Sequence, residues 1–143
     1  MITRTVSRPD TASGLGRPIA LAVVGAAAAA ALVHLLFDAA GADFVVAPPG
    51  QEPSTVSAVM AAGTAALVTL LGGGVAVLLS RLTRRPARAF LVLAGVVFAL
   101  MAVNPLLAAD QALTVVALEV EHLAVAAVAL ALLLPPLRAR ERA

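Results

Sequence analysis

At 62% hydrophobic residues and a mean hydropathy of +1.02, this chain of 143 residues far exceeds the roughly 45–50% apolar content of soluble domains, which excludes a soluble fold and leaves no length for a separate catalytic domain. All ten basic residues are arginine and the isoelectric point is near 11.0, but they flank apolar runs, where anionic lipid headgroups account for them, so the bilayer is the expected partner and nucleic acid is not. With no cysteine, disulfides, thiol catalysis and thiolate metal sites are excluded.

The arginines fall in three patches: Arg4, Arg8 and Arg17; Arg81, Arg84, Arg85 and Arg88; Arg138, Arg140 and Arg142. Cytoplasmic loops retain arginine, so each patch reads as cytoplasmic and an even number of crossings must separate consecutive patches. The expected architecture is therefore an all-α membrane protein of four transmembrane helices, multi-pass in the inner (plasma) membrane, with both termini cytoplasmic. Its helices are expected at about 18–38, 55–79, 87–108 and 111–134 within a domain spanning 18–137. A disordered tail, 1–17, precedes that domain and a basic tail, 138–143, follows it.

The first helix opens at Pro18, a residue suited to a first turn, and its alanine-rich middle lets neighbouring backbones approach. A cleaved signal peptide, with Arg17 as its charged flank and Ala40 to Ala42 as the cleavage site, is the rival reading, but the apolar run is longer than such segments carry. The following loop holds Asp38, Asp43 and Glu52 and no basic residue, as an external loop should. Within it, Asp43 to Ala47 is a short β-prone run, and Ser54 to Val56 offers a return arm for a hairpin. The second helix carries Gly63 and the triplet Gly72, Gly73 and Gly74, which read as packing positions.

The segment Ser80 to Arg88 is a short basic turn, with Pro86 marking the entry to the third helix. Asn104 and Pro105 bend or end that helix near its outer end, because proline removes a backbone donor. Pro135 and Pro136 are expected to stop the fourth helix before the last arginines.

Ionisable groups at membrane depth concentrate in the fourth helix, and each is costly there unless paired or hydrated. Glu119 and His122 stand about 60° apart around the helix axis, whereas Glu119 and Glu121 point to nearly opposite sides. Glu121 aligns instead with Thr114 and Asp110, so one polar stripe is expected to descend from the outer surface, with Glu119 and His122 forming a second stripe beside it. His34 on the first helix and Asn104 on the third complete the candidate intramembrane site. Glu119 and His122 make a single Glu-x-x-His spacing, while di-metal carboxylate bundles need two such motifs and further glutamates. No nucleotide loop, nucleophile triad or zinc spacing is present, so no enzymatic activity, metal or cofactor is expected.

The first helix ending near Asp43 and a short extended loop, the turn Arg81 to Arg88, the proline at Pro105 and the pair His122 and Leu123 occur in an order that resembles an uncharacterised family of small four-helix bacterial membrane proteins, domain of unknown function 6069. The resemblance covers the chain after its tail. It implies a four-helix fold and no activity, and Glu119 and Glu121 are not part of the pattern that carries it. The expected role is structural or accessory, as a homo-oligomer or beside a membrane partner protein, with Arg81, Arg84, Arg85, Arg88, Arg138, Arg140 and Arg142 at the lipid headgroups. The alternative is a small proton- or cation-coupled transporter or channel subunit that uses the Glu and His cluster.

Overall fold

The computed structural model describes residues 13–142. Among the described residues there are four helices, α1 (Ser13–Ala39), α2 (Ala58–Leu82), α3 (Pro86–Ala108) and α4 (Ala112–Glu141), each long and apolar enough to cross a membrane. Between α1 and α2 a minimal antiparallel hairpin pairs β1 (Val45–Val46) with β2 (Ser54–Thr55), Val45 opposite Thr55 and Val46 opposite Ser54. The chain is a multi-pass membrane protein with the expected four spans and hairpin.

The helix bounds differ from those expected for local physical reasons. α1 begins five residues before Pro18, because Leu15 is buried against Leu133 and Leu137 and that burial holds the extra turn in place. Residues 13–17 are thus helical, and the rest of the expected tail, with Arg4 and Arg8, lies outside the described residues. α2 starts at Ala58 because Ser54 and Thr55 are used in β2 and the Ser57 side chain caps the helix, its Oγ accepting from the Met60 N–H at 3.3 Å.

α4 does not stop at Pro135 and Pro136 but continues to Glu141. Each proline loses one donor, yet the turns beyond are anchored three ways. Leu137 is buried in the core, Arg140 Nη1 donates to Ser80 Oγ at 2.6 Å, and Glu141 Oε1 accepts from the N–H groups of Ala87 and Arg88 at 2.9 and 3.2 Å. Glu141 thereby satisfies two of the orphan donors that open α3. The arginines of the expected basic tail therefore belong to the last turns of α4, and Pro105 sits in the final turn of α3 rather than ending it.

α1 packs closely on both α2 and α4, and α4 also packs on α3, whereas α2 and α3 touch sparsely. In space the helices therefore run α2, α1, α4, α3, with a cleft between the two outer members. Small residues set the central contacts: Ala22, Ala26 and Ala30 of α1 are buried, and a Cβ added at Gly73 would come within 2.7 Å of Ile19. Among the glycines expected to pack in α2, Gly73 alone does so. Gly63, Gly72 and Gly74 have no neighbour within 4 Å of an added Cβ, because they face away from α1.

Two apolar clusters close the ends of the bundle. Leu15, Phe90, Leu133 and Leu137 lead one, beside the arginines, and Ala42, Phe44 and Ala117 form the other, under the hairpin.

Candidate functional site

The hairpin end of the bundle is where most of the intramembrane polar groups meet. His34 is in the sixth position from the end of α1, and Glu121 is roughly 14 Å along α4 from its start. The two are buried, and His34 Nδ1 lies 3.0 Å from Glu121 Oε1. In one protonation state the imidazolium N–H donates to the carboxylate; in the other the carboxyl O–H donates to the neutral ring. Either way a proton is shared across the α1–α4 interface, and neither group faces hydrocarbon alone.

Above this pair sits Phe44, stacked on the His34 ring with centroids 3.6 Å apart and planes 21° from parallel. Its backbone has φ 49°, a left-handed conformation that a bulky side chain rarely adopts. Surrounding contacts enforce it. The Phe44 N–H donates to Thr114 Oγ1 at 3.1 Å, its carbonyl accepts from the Val56 N–H at 2.9 Å, and its ring is fully buried. Such a conformation costs about 1–3 kcal/mol and persists only where neighbours over-determine it.

Thr114 is the hub of the layer above. Its hydroxyl lies 2.8 Å from Asp43 Oδ1 and 2.7 Å from Gln111 Oε1, and its single proton serves these two acceptors. Gln111 Oε1 also accepts from the Asp43 N–H at 2.9 Å, and Gln111 Nε2 donates to the Gly41 carbonyl at 3.1 Å. The Val45 N–H donates to Asp43 Oδ1 at 3.1 Å. That bond and the Thr114 hydroxyl favour the charged carboxylate and hold the Asp43 acid below its ordinary range. The first arm of the hairpin is also tied to α3, through the Ala47 N–H and the Ala108 carbonyl at 2.7 Å.

Of the expected stripe, Thr114 and Glu121 share the buried face of α4, but Asp110 does not join them. It is exposed and precedes the helix, which begins at Ala112, and Gln111 with Asp43 takes its place. The second stripe is not assembled. His122 Nδ1 lies 2.6 Å from the Leu118 carbonyl, a contact in which the ring N–H donates, while Glu119 Oε1 is enclosed without a hydrogen-bond partner among the described residues. No group of three potential metal ligands occurs among the described residues.

Three participants escaped sequence reasoning: Gln111, Asp43 as a site residue, and Phe44. Gln111 stands three residues before Thr114 at a helix start, and Asp43 opens a β-prone run; these weak signals are the sequence's trace of the network.

Beside the pair, a cavity of about 330 Å3 opens between α2 and α3. Its walls are Met60, Ala65 and Val68 of α2 with Met101 and Pro105 of α3, its lid is Val46 and Pro48 of the hairpin, and its floor is α4. Asn104, Thr64, Glu121 and His122 supply its polar groups. Asn104 thus joins Glu121 and His122 along one space, which the linear sequence does not reveal.

At the opposite end, Arg88, Arg138 and Arg142 border a concavity of about 280 Å3 with Glu141. Arg81, Arg84 and Arg85 are exposed there, and Arg140 is engaged with Ser80.

Neither curated proteins nor solved structures yield a match to the chain. A family of unknown function, DUF6069, does match, over residues 10–139, and with nearly the whole chain covered the protein belongs to that family.

Proposed function

We propose that the protein is a structural or accessory component of the bacterial inner membrane, acting as a homo-oligomer or beside a membrane partner protein and catalysing no reaction. The observation that carries this reading is that the polar groups bridging separate segments at membrane depth are spent on one another: Glu121 on His34, and Thr114 on Phe44 and the hairpin. Bonds of this kind join helices and fix their register in a bundle of alanine, valine and leucine. An orientation with both termini cytoplasmic is supported by charge. The arginines of the described residues gather at one end of the bundle, whereas Asp38, Asp43, Glu52 and Asp110 gather at the other.

A proton- or cation-coupled transporter or channel subunit is the second reading, favoured by the position of Glu121 and His122 at the edge of the cavity. Reconstitution in vesicles loaded with a pH-sensitive dye separates the two. In an accessory protein Glu121→Gln changes thermal stability or assembly and leaves proton leakage at the level of protein-free vesicles. A wild-type proton or cation flux that Glu121→Gln abolishes overturns the accessory reading.

A further inference from the structure

The cavity between α2 and α3 has a chemical asymmetry that specifies an occupant. Its walls are apolar, and the helices that form them touch sparsely, so its side toward the bilayer is a gap between two lipid-facing helices. Its polar groups are mostly acceptors. Glu121 is matched by His34 and so brings no uncompensated charge. His122, with its Nδ1–H given to the Leu118 carbonyl, keeps Nε2 as an acceptor in its neutral form. Asn104 supplies both an acceptor and a donor, and Thr64 a hydroxyl.

A charged headgroup would have to shed its water there without a counter-ion, which membrane depth penalises. A plain hydrocarbon chain would leave these groups unpaired, and a ketone or ester could accept from the Asn104 amide or the Thr64 hydroxyl but would bring no proton for Nε2 or the Glu121 carboxylate. A hydroxyl has both the proton that Nε2 or the carboxylate accepts and the lone pairs that the amide of Asn104 seeks. The volume, about 330 Å3, lies within the range of small-molecule pockets.

We propose that this cavity binds a neutral, hydroxyl-bearing lipid drawn from the bilayer, its head among Glu121, His122 and Asn104 and its chain leaving between α2 and α3. The site is independent of whether the protein is an accessory subunit or a transporter.

The test is photolabelling of the full chain in nanodiscs with a long-chain fatty alcohol carrying a diazirine and an alkyne, compared with the methyl ether of the same probe, which lacks the donor. The expected result is labelling concentrated on the stretch around Met60 to Val68 and that around Met101 to Pro105, roughly tenfold stronger for the alcohol than for the ether. Thr64→Phe, at an exposed position that borders the cavity, should reduce this labelling to the level of the ether while leaving the melting temperature unchanged. Val68→Phe serves the same purpose if Thr64→Phe does not fold. Equal labelling by alcohol and ether, or labelling spread over every lipid-facing helix surface, overturns the proposal, as does strong alcohol labelling that survives in a folded cavity-filling variant.

Discussion

His34 Nδ1 and Glu121 Oε1 meet at 3.0 Å, joining the first helix of the chain to the last across 87 residues of sequence. Their contact sits directly under Phe44, so the pair and the hairpin form one stack from the hairpin end of the bundle into its interior. An interhelical bond and a loop anchor are here the same structure.

That arrangement predicts asymmetric costs at Glu121. Removing one member of a buried pair leaves the other uncompensated and costs about 3–5 kcal/mol, so Glu121→Ala should destabilise strongly, whereas Glu121→Gln keeps a neutral partner for the ring and should cost far less. In a double-mutant cycle with His34→Ala, measured by reversible unfolding in detergent, the coupling should exceed the ~0.6 kcal/mol average of hydrogen bonds between membrane helices. Additive single effects would show that the two residues do not act as a unit.

Phe44 should reverse an ordinary preference. Truncating a buried phenylalanine to alanine costs about 3–5 kcal/mol, and Phe44→Ala should fall in that range. At φ 49° a Cβ is itself unfavourable, so Phe44→Gly, which loses the same ring, should be more stable than Phe44→Ala by about 1 kcal/mol. Side-by-side melting curves decide it, and an alanine variant above the glycine variant contradicts the backbone strain.

Neighbouring glycines of α2 should respond in opposite ways to the same change. Gly73→Ala places a methyl group 2.7 Å from Ile19 Cγ2 and should cost about 1–3 kcal/mol through forced separation of α1 and α2. Gly74→Ala meets nothing within 4 Å and should be neutral or stabilising by up to about 1 kcal/mol, since alanine is the better helix former.

Acid should loosen the hairpin before the helices. Asp43 has a folded pKa below its ordinary value, chiefly through the Val45 N–H and then the Thr114 hydroxyl. A depressed value means that the stabilisation is fully present above the ordinary aspartate range, near pH 4, and is lost as pH falls through the folded value. Hydrogen-exchange protection of the Val45 and Phe44 amides, relative to the intrinsic rate at each pH, should fall across that acid window, and Asp43→Asn should be less protected at neutral pH and lose the acid step. Unchanged protection in the wild type would place the anchor elsewhere.

Much of this protein is legible without coordinates because its strongest signals are one-dimensional. Twenty or so consecutive apolar residues mean a span, arginine patches mark one side, and a β-prone run followed by Pro48, Pro49 and Gly50 marks a turn back. Helical periodicity likewise put Thr114 and Glu121 on one face. Where such reasoning failed, a tertiary contact outweighed a local rule: Leu15 and Leu137 hold turns beyond prolines, and Glu141 and Arg140 anchor the last turn of α4 to α3 and α2.

The sequence by itself thus determined the solvent: a chain this apolar has one environment that suits its side chains, and there continuous apolar runs of about 20 residues satisfy their backbone as helices. Tertiary structure alone decided which polar groups meet. His34 selects Glu121 over Glu119 or His122, and the cavity gathers Asn104 with Glu121 and His122, because helix order in space and rotation about each axis depend on which small residues allow backbones to approach. Those choices are made by packing between segments far apart in the chain, and spacing along any one helix does not encode them.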